Sequence, residues 1–276
     1  MSADRSAGDR GAVTQGAHAE LLQILPVTVL RMEARGVVTR TFRRLDPERQ
    51  LAAITAILVE AAETGPGELS MRAVAQRAGV ALGSLYQYFP DRQGMVTAAA
   101  EIAGGLLAGD LARYRDDLAS LPLREALVLY VSAGVEWSVA RPGLLRFFGR
   151  AAYGNDPALS AAIVAPVVDE LLAMVRAIIE AAVARGEIPP PADLEAAVRF
   201  IHGSSIVLSD SQLLPNLDEY FRQLQGASLQ QRAEEMAGFV VAALGGRDAS
   251  PAGPETAPAG PEAALGGRAG PLDGKE

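Results

Sequence analysis

Few side chains in this sequence are of the types that catalyse reactions or bind metals. The chain of 276 residues has no cysteine and two histidines, His18 and His202. Disulfides, thiolate metal sites and cysteine nucleophiles are therefore excluded. The sequence also lacks a Gly-x-Ser-x-Gly elbow, a P-loop, a dinucleotide fingerprint and a His-Glu-x-x-His pair. These absences predict that the protein is not an enzyme and uses no metal or cofactor.

The stretch 69–89 combines polar and aromatic side chains with the signals of two short helices. Ser70 is a favourable N-cap for a helix over 71–77, because its hydroxyl can accept a hydrogen bond from the first turn. Gly79 lies in the following Ala-Gly-Val turn, where only glycine adopts a left-handed backbone easily. A second short helix is predicted over 82–88. Two short helices joined by such a turn are typical of a helix-turn-helix, which presents its second helix outward.

The residues Gly-Ser-Leu-Tyr-Gln-Tyr-Phe at 83–89, with the Ser70 cap and the Ala-Gly-Val turn, resemble the TetR family of transcriptional regulators. The resemblance covers about residues 45–245, strongly up to residue 95 and in helix number and order beyond it. It implies that the second helix enters the major groove of DNA. The residues that we expect at the DNA are Arg44, Ser70, Arg72, Ala81, Leu82, Gly83, Ser84, Tyr86, Gln87, Tyr88 and Arg92.

This segment departs from the family pattern in ways that affect base recognition. Ala81 stands where a Ser or Thr cap is common, and the helix over 82–88 carries no Lys or Arg. Base readout by Ser84 and Gln87 alone is thin, so thymine methyl contacts, DNA shape and a basic arm are expected to add to it; the arm is Arg40, Arg43 and Arg44. Two alternatives stay open: the aromatic residues could simply anchor the following helix, and the arginines could be solvated. Phe89 is assigned to the core.

Composition and charge predict an all-α fold with a DNA-facing front. Apolar residues make up 49% of the chain and follow helical spacing, with few strand signals. The net charge is −8, yet residues 31–92 carry nine Arg against seven Asp plus Glu. We therefore expect an N-terminal three-helix helix-turn-helix domain joined to a C-terminal helical-bundle domain for ligand binding and dimerisation.

The predicted organisation has four parts. They are a mostly disordered extension with the basic arm over 1–45, the DNA-binding domain over 46–95, the sensing and dimerisation domain over 96–244, and a disordered Gly/Pro/Ala tail over 245–276. Within the extension, 21–44 could form a short helix that leads into the basic arm. Asp46 and Pro47 predict the start of the first long helix, which Gly65 ends. Further helices are predicted from Arg92 to about 118 and over about 122–140, 142–152, 157–185, 192–213 and 217–244.

The last two predicted helices carry apolar and small-residue stripes that suit a dimer interface, which the resemblance also implies. The stripe residues are Leu194, Val198, Ile201, Ser205 and Leu208 on one helix, and Met236, Phe239, Val240 and Ala243 on the other. A single helix-turn-helix reads only a few base pairs, so operator selectivity favours a dimer. The alternative is that these stripes are buried within one chain.

By the same resemblance, a ligand pocket lies among the middle helices. Its candidate lining residues, which are bulky or polar-tipped, are Trp137, Phe147, Phe148, Tyr153, Met174 and His202. Each could instead be an ordinary core residue, and His202 could also belong to the dimer interface.

Together these patterns predict a cytoplasmic, ligand-responsive repressor that binds double-stranded operator DNA as a homodimer. Binding of a small molecule is expected to release the DNA, with the helix from Arg92 altering the separation of the two recognition helices. The apolar run 21–30 is about half a membrane span and predicts no membrane association. The alternative is a helical interaction protein with weakened or lost DNA binding. The protein sequence does not distinguish a repressor from an activator.

Overall fold

The computed structural model describes residues 25–65, 68–139 and 142–246, and these residues form helices with no strand among them. In the described residues of the N-terminal part, the helices are α1 (25–34), α2 (Arg40–Arg43), α3 (Pro47–Thr64), α4 (Met71–Ala78) and α5 (Leu82–Tyr88). The predicted all-α fold, with an N-terminal helix-turn-helix and a C-terminal helical domain, is confirmed. Residues 1–24 and 247–276, predicted to be disordered, lie outside the described residues.

The C-terminal part is a bundle of long helices joined by short connections. Its elements are α6 (Arg92–Ala112), α7 (Arg115–Ser120), α8 (Leu123–Val139), α9 (Pro142–Ala152), α10 (Pro157–Leu159), α11 (Ala165–Ala184), α12 (Leu194–Leu213), α13 (Pro215–Phe221) and α14 (Leu229–Ala243). A π-helical turn, Ser160–Val164, joins α10 to α11. The helix α6 packs closely on this turn, since a Cβ at Gly104 would lie 2.6 Å from the Ala162 carbonyl oxygen.

Local signals set the bounds of the helix-turn-helix. The Asp46 carboxylate accepts a hydrogen bond from the Arg49 N–H at 2.9 Å, and α3 ends at Gly65, whose φ is +88°. The Ser70 hydroxyl accepts from the Ala73 N–H at 3.3 Å, and Gly79 has the left-handed φ of +67°. The predicted helix over 82–88 coincides with α5, which starts without a side-chain cap.

Within the extension predicted to be mostly disordered, residues 25–34 and Arg40–Arg43 form α1 and α2, where the sequence left a short helix open. Apolar side chains of α1 and α2 and of their connection are buried at helical spacing, namely Leu25, Val29, Met32, Val38 and Phe42. The ion pair Arg35–Glu101 joins this segment to α6, and the ion pair Arg43–Glu33 joins α2 to α1. The burial of apolar surface against α5 and α6 offsets the entropy of ordering this polar-looking stretch.

Two predicted long helices are interrupted. The helix from Arg92 ends at Ala112, and α7 starts at Arg115. The predicted helix over 217–244 is divided into α13 and α14, because the chain turns at Arg222, whose φ is +56°. A capping box starts α14: the Ser228 hydroxyl accepts from the Gln231 N–H at 3.2 Å, and the Gln231 side chain accepts from the Ser228 N–H at 2.8 Å.

Two helical segments are long and apolar enough to cross a membrane by length and composition alone. They are Arg92–Ser120, with mean hydropathy 1.3, and Pro157–Ala184, with mean hydropathy 1.9. Core helices of soluble proteins can have the same length and composition; 61% of the first segment's apolar window is buried against its neighbours, and 28% of the second segment's window. These helices are therefore weak evidence for a membrane span.

Candidate nucleic-acid interface

The helix α5 has one buried face and one exposed face. Leu85 and Phe89 are fully buried beneath it, as predicted for Phe89. The outward residues are Ala81, Leu82, Gly83, Tyr86 and Gln87, with Ser84 half-buried between the two faces. The predicted base-reading side chains are thus brought together on one accessible surface.

Tyr86 and Gly83 give this surface its shape. The Tyr86 side chain is 54% exposed, and its hydroxyl forms no hydrogen bond to any part of the chain that the structure describes. A Cβ built on Gly83 meets no atom within 4 Å, so the absence of a side chain is not required by packing within this chain. The backbone of α5 at Gly83 is therefore open to close approach by another molecule.

The helix α4 crosses α5, and ion pairs join α4 to α3. Arg77 donates to Glu60 at 3.1 Å and to Glu63 at 2.5 Å, both on α3. The hydrogen bond to Glu60 raises the pKa of Arg77 above its usual value. Ser70 and Arg72, two predicted DNA contacts, are exposed at the start of α4.

The short helix α2 lies at the carboxyl end of α5, which the sequence did not lead us to expect. The Thr39 N–H donates to the Tyr88 carbonyl at 2.9 Å, and the Thr39 hydroxyl donates to the Gln87 carbonyl. The Phe42 ring contacts Phe89 and Tyr88, with centroids 5.2 and 5.9 Å away. The only sequence signal for this contact was the isolated aromatic residue within the arginine run.

Tyr88, one of the residues expected at the DNA, has little surface left for such a contact. Its side chain is only 8% exposed and packs on Phe42, on the opposite side of α5 from Tyr86. The remaining basic candidates are exposed. Arg44 follows α2, and Arg92 at the start of α6 donates from Nε to the Leu69 carbonyl at 2.8 Å. That hydrogen bond ties Arg92 to the residue before the Ser70 cap.

The predicted pocket residues differ in their burial and in their partners. Phe147 and Met174 are buried, Phe148 is half-buried, and Trp137 donates to the Asp110 carboxylate at 2.6 Å. Tyr153 is 61% exposed and donates to Asp210, so it lies at the surface rather than in the bundle interior. An open groove exists elsewhere, between α3 and α4, and it is lined by Glu48, Leu51, Ala52, Thr55, Ala56, Val59 and Arg77.

His202 has a polar neighbour inside the bundle. Its Nδ1 lies 3.4 Å from the hydroxyl of Tyr130 on α8, and burial lowers the pKa of His202. Burial also raises the pKa of Asp210, two turns further along α12. Within the described segments, no group of three or more His, Asp or Glu residues could hold a metal ion.

Most of the predicted dimer stripe is buried within the chain. Val198, Ile201, Ser205, Leu208 and Val240 pack against neighbouring helices, which favours the intramolecular alternative for these five residues. Leu194 and Met236 are half-buried, whereas Ala243 is exposed. Phe239 is 64% exposed and lies 6.4 Å, between ring centroids, from Phe200, which is 57% exposed and was not predicted. These two rings define an exposed aromatic pair on α12 and α14.

The helix-turn-helix with its outward second helix, joined to a larger helical domain, defines the class of the protein as a DNA-binding transcriptional regulator. Two family models match the chain: bacterial regulatory proteins of the tetR family over residues 53–99, and the tetracyclin repressor-like C-terminal domain over residues 122–207. The chain belongs to the TetR family. Members of this family are regulators that bind operator DNA, dimerise and bind small-molecule effectors.

Solved structures with the same fold have low sequence identity to this chain. A TetR-family transcriptional regulator from Mesorhizobium loti has a TM-score of 0.54 and 16% identity, covering 74% of this chain and 98% of that one. FadR from Bacillus subtilis, solved with stearoyl-CoA, has a TM-score of 0.50 and 18% identity, covering 70% and 97%. SmeT, the repressor of the Stenotrophomonas maltophilia efflux pump SmeDEF, has a TM-score of 0.50 and 16% identity, covering 76% and 94%. No curated protein matches the sequence closely enough to count as a relative.

Proposed function

We propose that this protein is a cytoplasmic repressor that binds operator DNA as a homodimer and releases it when a small molecule binds the C-terminal domain. The DNA-binding unit is residues 46–95, supported by α1 and α2, and the sensing unit is residues 96–244. The observation that carries the proposal is the two-sided α5. Its buried face fixes the helix to the core, while the side chains of Tyr86 and Gln87 are exposed on the other face.

The outward face of α5 offers several modes of DNA contact. Ser84 and Gln87 can hydrogen-bond to base edges, and Leu82 can contact a thymine methyl group. The Tyr86 hydroxyl, which is exposed, is suited to a phosphate oxygen. Since this helix has no Lys or Arg, the flanking arginines Arg72 and Arg92 supply positive charge beside it.

The exposed aromatic pair supports the dimer. The rings of Phe200 and Phe239 lie side by side, tilted by 43°, at the surface formed by α12 and α14, where they face water in the single chain. A second copy that places the same surface against them would bury both pairs around a two-fold axis. We expect Phe200→Glu/Phe239→Glu to be monomeric in sedimentation analysis, while Tyr114→Glu, at another exposed aromatic residue, stays dimeric. A double variant that remained dimeric would remove this surface from the proposal.

A continuous helix and a hydrogen bond connect the sensing unit to the DNA-binding unit. The helix α6 is continuous from Arg92 into the bundle, and Arg150 on α9 donates to the Thr64 carbonyl at the end of α3. A hundredfold change in operator affinity requires a coupling free energy of about 2.7 kcal/mol, which is within the usual range for allosteric proteins. The ligand of FadR and the repressor role of SmeT support a small-molecule effector and repression here.

The test is binding of the purified full-length protein to duplex DNA, including the region upstream of its own gene and a random-sequence library. We expect saturable, sequence-selective binding that weakens steeply with salt. Gln87→Ala should relax base preference, with a loss of about 1–3 kcal/mol in discrimination, and Tyr86→Ala should weaken binding to all sequences. Tyr114→Ala, at the exposed ring of Tyr114, is the control and should bind like the wild type.

Weak binding that is indifferent to sequence and to both substitutions would overturn the proposal. The alternative function, a helical interaction protein that has lost operator recognition, would then be favoured, consistent with the absence of Lys and Arg from α5.

A further inference from the structure

The short helix α2 is fixed in position relative to α5. Two hydrogen bonds from Thr39 reach the Gln87 and Tyr88 carbonyls, and the Phe42 side chain fills the space beneath them. On the other side, the Gln50 amide donates to the Phe42 carbonyl at 3.0 Å and so joins α2 to α3. The position of α2 is therefore fixed by contacts with α5 and with α3.

Two arginines lie one helical turn apart at the two ends of α2: Arg40 is its first residue, and Arg44 follows its last residue with a helical backbone. Arg40 and Arg44 are exposed, and neither forms an ion pair or a side-chain hydrogen bond within the segments that the structure describes. Residues four apart on a helix have Cβ atoms about 5–6 Å from each other and face the same side. The intervening Arg43 differs, because its guanidinium is paired with Glu33 on α1.

Two carboxylates close to these arginines in the sequence, Glu33 and Asp46, are already engaged by other groups. Glu33 binds Arg43, and Asp46 caps α3 and pairs with Arg49 at 3.3 Å. The pair is thus a local excess of positive charge in a chain with net charge −8, next to the Gln87 end of a recognition helix without Lys or Arg. A surface of this charge beside α5 suits a polyanion bound to α5.

We infer that Arg40 and Arg44 bind backbone phosphates of the DNA beside the groove that α5 enters, so that α2 is a second DNA-contacting element. This inference rests on the proposed function. Phosphate contacts position the protein without reading sequence, so the pair contributes affinity to all DNA sequences equally. Arg40 and Arg44 also neutralise phosphate charge on the DNA, which α5 does not do because it has no Lys or Arg.

The experiment measures the salt dependence of binding for Arg40→Gln/Arg44→Gln, using duplex DNA that the wild-type protein selects from a random library. Two lost phosphate contacts should make the slope of log K against log salt shallower by about 1.8. Between 50 and 200 mM salt the wild type would therefore lose about twelvefold more affinity than the variant. The ratio of affinities for selected and unselected DNA should stay the same.

Two control variants separate contact from general charge. Arg43→Gln removes one charge from the same helix, but its side chain is paired with Glu33, so the slope should stay as in the wild type. Arg222→Gln/Arg268→Gln removes two charges far along the chain and should also leave the slope unchanged. Unfolding curves for all variants check that α2 remains folded.

A double variant with the wild-type salt slope would overturn the inference while leaving the proposed function intact. An equal change in Arg43→Gln or in the distant control would also overturn it, because the effect would then be long-range electrostatics. Failure of the wild-type protein to bind any DNA would instead overturn the proposed function.

Discussion

In the helix-turn-helix most boundaries follow from caps and turns at those boundaries, whereas in the C-terminal bundle burial depends on contacts between helices far apart in the sequence. The cap Ser70 and the left-handed Gly79 lie where their residue types predict, and α5 spans the predicted residues. On α12, by contrast, an apolar stripe fits a dimer interface and an intramolecular core equally well. The structure gives it to the core through Val198, Ile201 and Leu208.

This difference teaches that local signals decide where helices begin and which way a short helix faces, but not what covers a long amphipathic one. The segment 25–45 is an instructive exception within the N-terminal region. Its order depends on Phe42 packing beneath α5, which is a contact between residues more than forty positions apart.

The largest expected effect tests whether α2 is truly part of the DNA-binding unit. Phe42→Ala should lower the free energy of unfolding by about 3–5 kcal/mol, because a fully buried ring between Tyr88 and Phe89 is lost. Urea unfolding followed by circular dichroism measures it. Phe221→Ala, which removes an exposed ring, is the matched control and should cost far less. Equal effects of the two changes would mean that α2 adds little to the N-terminal core.

A second change sharpens the contrast on α12. Leu208→Ala should lower the free energy of unfolding by about 2–5 kcal/mol through loss of packing inside one chain. Phe239→Ala should instead shift mainly the protein concentration at which the dimer dissociates, since its ring is exposed on the single chain. Sedimentation and urea unfolding over a range of concentrations separate the two. A stable but monomeric Leu208→Ala protein would return Leu208 to the interface.

Much of the fold and part of the site follow from the sequence for identifiable reasons. Caps and glycine turns act within a few residues, so they were enough to predict α3, α4 and α5 from the sequence. The exposure of Tyr86 followed from the same motif, but the burial of Tyr88 did not, because its partner Phe42 comes from a segment without a clear pattern. Of the exposed aromatic pair, Phe239 was predicted at the interface and Phe200 was not, since spacing alone does not tell which residue of a stripe turns outward.

A moderate effect is expected at the helix caps, where the two regions can be compared directly. Ser70→Ala removes the hydroxyl that accepts from the Ala73 N–H and should cost about 1 kcal/mol of stability. Ser228→Ala, at the capping box of α14, should cost a similar amount. Only Ser70→Ala should also weaken DNA binding, because α4 supports the recognition helix. Equal DNA affinity in both variants would show that this cap serves stability alone.

The smallest expected effect concerns pH and the interior of the bundle. Because burial lowers the pKa of His202, the unfolded chain binds this proton more tightly than the folded chain does. The stability contributed by neutral His202 is therefore fully present above about pH 6.5, the ordinary histidine value, and is lost as the pH falls below it. His202→Gln should remove this dependence, so the wild type and variant should differ less in stability at pH 5 than at pH 8.

Unfolding curves at several pH values measure this difference, and Asp210 does not disturb it. The raised pKa of Asp210 acts in the opposite direction at lower pH, but it is common to both proteins and cancels on subtraction. A difference that stayed constant from pH 8 to pH 5 would mean that His202 is as easily protonated in the folded chain as in the unfolded one. The hydroxyl of Tyr130 would then face an imidazole open to water, and α8 and α12 would be less tightly packed around it than the 3.4 Å contact indicates.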